Sequence, residues 1–148
     1  MKESAVENLV IHSALYGEIN ILPEQVYHFS NGIIGFEHLN EFALLPYEDS
    51  QLFTLQAFSD EIGLMLIPAS LTEQHLQFEL DKQTIDKLEV KTAEKIIVLY
   101  ILRIIDGTPY INQKAPIILS TISKKGCQYI VQDDTISVRV PLVLKGGT

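Results

Sequence analysis

Short runs of β-branched and aromatic residues, each ended by glycine, proline or a small polar cluster, recur along this 148-residue chain. Runs with this content and these boundaries are typical of β-strands joined by turns. Around ten such strands favour an antiparallel barrel or sandwich, because either arrangement buries one face of every strand. The predicted strands are residues 9–11, 18–22, 25–29, 42–45, 53–58, 63–67, 76–80, 94–105, 110–112, 116–121, 127–132 and 136–144.

Only one segment has the spacing of a helix. In residues 81–90, Ile85 and Leu88 lie three apart, and Asp81 is suited to cap the first turn. The long apolar run at residues 94–105 could also be a buried helix, but its β-branched content favours a central strand. We therefore predict a mainly β, single-domain fold, an antiparallel β-barrel or sandwich with one short helix.

Charge is divided unevenly along the chain. Residues 1–81 carry thirteen carboxylates and one cationic residue, Lys2, for a net charge of −12. Residues 82–148 carry ten Lys and Arg against six Asp and Glu, for a net charge of +4. An acidic half repels phosphate backbones and attracts basic partners. It argues against nucleic-acid contact and favours either a positively charged protein partner or a plain solubilising face.

Composition and cysteine content indicate the compartment. The chain is 47% hydrophobic and 20% charged, as ordered globular proteins are. Its single cysteine, Cys127, cannot form an internal disulfide, which favours a reducing environment. No signal-peptide core is present, and the longest apolar run, residues 96–102, is too short to span a bilayer. We expect a cytoplasmic protein without membrane contact.

Residues that carry catalysis or bind metals are few and scattered. None of the histidines forms an HxH or HExxH pattern. Cys127 lies in a β-like run, where a buried thiol is the usual interpretation. Residues 32–35 lack the Lys-Ser/Thr of a phosphate-binding loop. The sequence therefore predicts no enzymatic activity, no cofactor and no metal. The four histidines are His12, His28, His38 and His75.

Two segments carry a sharper signal than composition does. Residues 29–37 read FSNGIIGFE and follow YGE at residues 16–18, and residues 112–119 read NQKAPIIL. In the first segment, Gly32 and Gly35 bracket two apolar residues. This spacing predicts a tight reversal that buries an apolar residue among residues 33–36 while Glu37 stays in solvent.

Together with RVPL at residues 139–142, these segments resemble the FliW family of flagellar assembly factors. The family pattern has aromatic-Gly-Glu near the start, then Phe-x-x-Gly-[Leu/Ile]-x-Gly-Phe-Glu, and then Ala-Pro-Ile. All three blocks occur here in the same order. The resemblance covers about residues 15–142, so that residues 1–148 are expected to form one FliW-like domain.

The resemblance implies a non-enzymatic partner switch. FliW-like proteins bind CsrA, a small dimeric RNA-binding translational repressor, and antagonise its RNA binding, which relieves repression of flagellin synthesis. They also bind newly made flagellin in the manner of a chaperone, and flagellin competes with CsrA for them. The implied partners are thus a CsrA-like repressor and flagellin, with no direct contact to nucleic acid or membrane.

We expect the partner-binding residues in the acidic loop region around the Gly-Phe-Glu turn and just before the Ala-Pro-Ile block. They are Glu37, Glu41, Glu48, Asp49, Asn112 and Lys114. Four further motif residues are interpreted as structural. They are Gly32, Gly35, Phe36 and Pro116.

Two other classes of function stay open at this point. A β-barrel can hold a small molecule, which would require a polar-lined interior cavity. A hydrolase could use Cys127 as its nucleophile, which would require an exposed thiol near a histidine.

Overall fold

A computed structural model describes residues 9–13, 17–74, 78–90 and 96–146. The described residues form ten strands, one α-helix (α1, Lys82–Leu88) and two 3₁₀ turns, Pro23–Gln25 and Ala69–Leu71. The strands are β1 Leu9–Ser13, β2 Gly17–Ile21, β3 Val26–Phe29, β4 Glu41–Pro46, β5 Phe53–Ala57, β6 Gly63–Pro68, β7 Ile96–Ile105, β8 Thr108–Ser120, β9 Lys125–Gln128 and β10 Val140–Pro141.

Seven of these strands close into a barrel. Strands β3 to β8 pair with their sequence neighbours, all antiparallel. Strand β9 completes the ring, since it pairs antiparallel with β8 and parallel with β3. Strand β10 joins the first part of β8, while β1 and β2 form a separate hairpin. The prediction of a mainly β, antiparallel barrel with one short helix is confirmed.

Aromatic and aliphatic side chains fill the barrel interior. The rings of Phe29 and Phe42 meet edge to face, with centroids 5.1 Å apart. Small barrels have interiors just wide enough for such packing. The filled interior weighs against the polar-lined cavity that a small-molecule barrel would need. The buried residues of this core include Tyr27, Phe29, Ile33, Leu39, Phe42, Leu55, Ala57, Leu66, Leu99, Ile117 and Leu119.

Two smaller clusters cover the outer faces of the barrel. Ile21 of β2 packs against Ala43 and Leu45 of β4, so that the β1–β2 hairpin shields one side. On the other side, Tyr100 and Ile111 form a buried cluster with Ile67, Ala69 and Leu102. The barrel wall is therefore apolar on both faces along much of β4 and β6 to β8, which explains why these runs show little alternation.

The helix begins and ends where its sequence indicates. Asp81 is the N-cap, and its Oδ1 accepts a hydrogen bond from the Thr84 backbone N–H at 2.8 Å. The residue after the helix, Glu89, has a left-handed backbone with φ of 54°. Leu88 is fully buried, while Ile85 is exposed. The predicted helix and its cap are thus confirmed.

The strand predicted at residues 76–80 is wrong for residues 78–80, and residues 75–77 lie outside the described part of the chain. Residues 78–80 form no strand, and two contacts with Tyr129 hold them instead. The Phe78 ring stacks on Tyr129, with centroids 5.6 Å apart, and the Tyr129 hydroxyl donates to the Glu79 carbonyl oxygen. Phe78 thus serves ring packing rather than a sheet face.

The strands predicted at residues 110–112 and 116–121 are one long strand, β8. Its pairing with β7 skips from Leu99–Ile117 to Ile101–Asn112, so residues 113–116 bulge out of the ladder. Pro116 lies in this bulge, where its missing N–H leaves no gap in the pairing. The proline that looked like a strand boundary in the sequence therefore lies inside a strand.

The bulge also explains why the last two predicted strands are shorter than expected. Strand β9 ends at residue 128, and β10 comprises two residues only. The chain between them instead follows the bulge. The N–H of Val131 donates to the Lys114 carbonyl, and the N–H of Lys114 donates to the Ser137 carbonyl. The predictions at residues 127–132 and 136–144 are therefore correct only where strands form, at residues 127–128 and 140–141.

The loop between β3 and β4 contains the predicted reversal. Ile33 and Phe36 pair across it, and Gly35 has φ of +91°, as the third residue of a type II turn requires. Ile33 is buried, whereas Ile34 at the tip is 59% exposed. Gly32 has φ of +64°, and a Cβ there would lie 2.6 Å from the Phe36 carbonyl oxygen. The loop thus needs glycine at residue 32 for two reasons, conformation and space.

Alanine at each glycine should separate those two reasons. In Gly35→Ala, the new Cβ would meet nothing within 4 Å, so that the only cost is an alanine held at positive φ. This variant should lose about 1 kcal/mol of unfolding free energy. Gly32→Ala adds a backbone clash and should cost about 3 kcal/mol. Urea unfolding of both variants measures the difference. Equal losses would contradict the role of the close approach at Gly32.

Candidate protein-binding surface

Both sequence motifs lie at one end of the barrel, called here the motif end. Because β3 to β8 alternate in direction, the β3–β4 loop, the β5–β6 loop at residues 58–62 and the β7–β8 turn at residues 106–107 share this end. The β8 bulge at residues 113–116 lies close to it, next to Asn112. The motif end therefore brings together the loop that carries the first motif and the irregular backbone of the bulge.

The residues predicted to bind partners do not form a single surface. Glu37 and Glu41 lie at the motif end, and both are exposed. Glu48 and Asp49 lie in the β4–β5 turn, at the other end of the six-residue strand β4. At ~3.3 Å per residue, β4 separates the two pairs by about 20 Å. Asn112 joins the first pair at the motif end, half-buried.

Gln128 ties the two motif segments together. Its side-chain oxygen accepts a hydrogen bond from the Ile34 backbone N–H at 2.9 Å. Its side-chain nitrogen donates to the Ala115 carbonyl oxygen at 3.1 Å. A single amide therefore fixes the Gly-Phe-Glu turn against the Ala-Pro-Ile bulge.

The carboxylates of the turn are positioned by local hydrogen bonds. The Gly35 backbone N–H donates to Glu37 Oε2 at 3.1 Å, and this bond lowers the pKa of the Glu37 carboxyl below its ordinary value. Glu41 Oε1 lies 3.1 Å from His28 Nδ1. Glu37 therefore stays ionised over the whole physiological pH range.

The side chains of Asn112 and Lys114 are occupied within the molecule. Asn112 Oδ1 accepts a hydrogen bond from the Ala115 N–H at 3.0 Å, which stabilises the bulge. The Lys114 ammonium group donates to the Asp133 carbonyl oxygen at 2.8 Å, which holds the segment after β9 in place. Their contacts show that both shape the motif end, whatever they bind.

A wide groove of about 900 Å³ opens at the motif end, between the turn at residues 33–36 and the bulge. Most of its lining is aliphatic, and three cationic residues project into it: Arg103, Lys114 and Arg139. Among the described residues, no Asp or Glu lines it. We call it the cationic groove.

Beside the cationic groove, the motif end is negatively charged. Exposed carboxylates come from the β3–β4 loop and from the β5–β6 loop, which are neighbours because the Phe58 N–H donates to the Glu41 carbonyl. We call this set the acidic rim, and it comprises Glu37, Glu41, Asp60 and Glu61. The motif end thus presents two adjacent surfaces of opposite charge.

Sequence reasoning missed the residues that build the groove. Arg103 lies in a run interpreted only as a central strand, and its neighbour across the sheet, Tyr110, also carries the guanidinium of Arg139 at 5.1 Å from its ring centroid. Gln128 stood out in no pattern. The available signal was the net charge of +4 on residues 82–148, which points to cationic surface in this half.

Cys127 is partly buried, in an environment typical of a structural thiol. Burial raises its pKa to about 11, with a small opposing effect from Lys87. A nucleophilic cysteine needs the thiolate, which a pKa of this size suppresses at neutral pH. In the described part of the chain, no group of three or more His, Cys, Asp and Glu could hold a metal ion. The geometry thus gives no support to a hydrolase.

Within the described ranges, no helix combines the length and apolarity needed to cross a bilayer.

Fold and surface together define a small closed β-barrel whose one end carries an apolar, cationic groove beside an acidic rim. A sequence model of the FliW protein family matches residues 10–142. The chain therefore belongs to the FliW family of flagellar assembly factors, a family that is not known for enzymatic activity.

Individual relatives agree with this assignment. The flagellar assembly factor FliW of Bacillus pumilus is 34% identical over 130 residues, 84% of this chain and 90% of the relative. That of Thermotoga maritima is 32% identical over 135 residues, 88% of this chain and 91% of the relative. A crystal structure of the flagellar assembly factor FliW matches with a TM-score of 0.85 at 23% identity, over 93% of this chain and 99% of that one. This last match shows a shared fold.

The raised pKa of Cys127 predicts slow alkylation. At pH 8, a shift from 9.0 to about 11 lowers the thiolate fraction by about 100-fold relative to the unfolded chain. Because a thiolate of higher pKa is also more nucleophilic, iodoacetamide should react at least about tenfold more slowly with the native protein than with the urea-unfolded protein. The native rate should rise about tenfold per pH unit between pH 8 and 10. A plateau below pH 9 would show that the thiol is not suppressed by burial.

Proposed function

We propose that this flagellar assembly factor is a non-enzymatic partner switch of the cytoplasm. In this proposal it binds a CsrA-like RNA-binding repressor, antagonises the repressor's RNA binding and so relieves repression of flagellin synthesis. It also binds newly made flagellin, which competes with the repressor and returns the system to the repressed state when flagellin accumulates.

The acidic rim is the observation that supports repressor binding most directly. RNA-binding proteins carry basic surface for the phosphate backbone, and exposed carboxylates attract such surface. The rim belongs to the half of the chain with a net charge of −12. A field of this sign beside a bound repressor also opposes the approach of RNA, which provides antagonism without any contact between this chain and RNA.

The layout of the motif end supports competition between two partners. The turn at residues 33–37 contributes to both surfaces, because Glu37 lies on the acidic rim while Ile33, Ile34 and Phe36 line the cationic groove. Two partners of opposite charge would thus prefer different surfaces. Since those surfaces share one turn, a protein seated on either would obstruct the other.

Charge reversal at two matched sites tests the repressor surface. The double variant E37K/E41K changes the acidic rim, whereas E48K/D49K makes the same change in net charge at the other end of β4. At low salt, the rim variant should slow association with the repressor by about tenfold, and the control by less than about threefold. Stopped-flow association at several salt concentrations measures both, and the difference should shrink as salt screens the field.

Each outcome of that experiment has a distinct meaning. Equal slowing by both variants would show that net charge alone attracts the repressor, and would remove the rim from the proposal. A purified repressor that forms no complex with the wild-type chain would refute the proposed function. A complex whose RNA affinity matches that of the free repressor would refute the switch mechanism.

A further inference from the structure

The barrel wall is open at the motif end between β6 and β7. Strand β6 pairs with β5 from Leu66 to Gly63, and β7 pairs with β8 as far as Ile105. The ladder between β6 and β7, however, contains only the pairs Leu66–Ile101, Ile67–Tyr100 and Pro68–Leu99. Past these pairs the two strands separate, and the opening between residues 63–65 and 102–105 is called here the seam.

The alternation of an antiparallel ladder shows which backbone groups of β6 face the seam. The Ala57 N–H donates to the Ile62 carbonyl at 2.9 Å, so residue 62 directs its backbone groups toward β5. Since this direction alternates, Leu64 also faces β5, while Gly63 and Met65 face the seam. Ile67, two residues beyond Met65, pairs with Tyr100 of β7, as the same alternation requires.

On β7, the pairing with Pro109 of β8 shows which residues direct their backbone groups into the seam. Ile104 lies opposite Pro109, which has no N–H and whose carbonyl accepts from the Leu142 N–H. Ile104 therefore directs its N–H and carbonyl away from β8, into the seam, and by alternation so does Leu102. The Leu66–Ile101 pair is bonded through the Leu102 N–H and the Met65 carbonyl, which close the inner end of the seam. Beyond it, no ladder pair joins Gly63 to Ile104.

Unpaired edges of this kind are templates for another strand. An extended peptide that adds to a sheet edge satisfies the edge's N–H and C=O groups and places alternate side chains in flanking pockets. The seam opens into the cationic groove, which is lined by Leu64, Met65, Ile101, Leu102 and Arg103 among others. Ile104 is 70% exposed and borders the seam from outside. The open edge thus lies where apolar side chains can cover an added strand.

Charge determines which partner fits. Arg103, Lys114 and Arg139 line the groove, and no described carboxylate does. A basic chain would be repelled here, whereas a segment in which carboxylates alternate with apolar residues would pair with these cations.

We propose that the seam is a docking edge for an extended, carboxylate-bearing segment of flagellin, which adds as a strand to β7. This inference rests on the proposed function, in which flagellin and a basic repressor are the two partners. The charge of the groove assigns the seam to flagellin and leaves the acidic rim to the repressor.

Two substitutions at Ile104 separate strand addition from side-chain packing. Ile104→Pro removes the N–H that faces the seam without removing any hydrogen bond of the β7–β8 ladder, and proline is tolerated at such edge positions. Ile104→Ala removes most of the side chain and keeps the N–H. With purified full-length flagellin as the probe, we expect I104P to raise the Kd by about tenfold or more and I104A by less than about threefold.

Hydrogen exchange of single amides gives a second readout that needs no variant. In the free protein, the amide of Ile104 should exchange fast and those of Leu102 and Arg103 slowly, because Leu102 donates within the β6–β7 ladder and Arg103 points into the β7–β8 ladder. Flagellin should protect the Ile104 amide. The repressor, added alone, should leave it unprotected.

The possible outcomes are distinguishable. If flagellin binds the wild-type chain but does not protect the Ile104 amide, strand addition at the seam is wrong while the proposed function survives. If I104A weakens binding as much as I104P does, the occupant packs on the groove through side chains, as a helix would, and the strand model is again wrong. If flagellin binds neither the wild type nor the variants, the flagellin part of the proposed function fails. Melting temperatures of both variants near that of the wild type exclude misfolding as the cause.

Discussion

Closure of the barrel depends on the absence of a side chain at Gly126. Strand β9 pairs with β3 on one side and with β8 on the other, and Gly126 takes part in both ladders. A Cβ at this residue would lie 2.5 Å from the Phe29 ring and 2.8 Å from a Leu119 methyl group. Those two side chains belong to the central core. Because the core reaches over the backbone of β9, the closing strand can lie close enough to join both neighbours.

Charge segregation in the sequence becomes charge segregation in space because the barrel follows chain order. Strands β3 to β6 lie side by side and carry the acidic half, while β7 and β8 follow with the cationic residues. A fold with long crossovers would have mixed the two halves. Here the acidic rim grows from the loops after β3 and β5, and the groove carries Arg103 on β7. One linear asymmetry thus yields two neighbouring surfaces of opposite sign.

Local signals in the sequence predicted the elements that local interactions determine. The Asp81 cap and the positive φ at Gly35 each need only a few neighbouring residues, and both could be foreseen. The bulge before Pro116 could not, since it depends on β7 and on the segment after β9. The charge pattern indicated that a basic partner was plausible, yet it could not show that Glu48 lies at the other end of β4 from Glu37. Pairing between distant strands decides such questions, and hydrophobic periodicity does not report it.

The bridge made by Gln128 has a consequence for synthesis of the protein. Its bond to Ile34 joins residues 94 positions apart, and the β3–β9 ladder has a similar separation. Contacts of such long range cannot form until most of the chain has left the ribosome, and loop-closure entropy makes them late events in folding. The motif end therefore does not exist on a nascent chain. A cell that makes this protein gains a functional surface only after the last strands have been translated, so each partner meets a completed molecule.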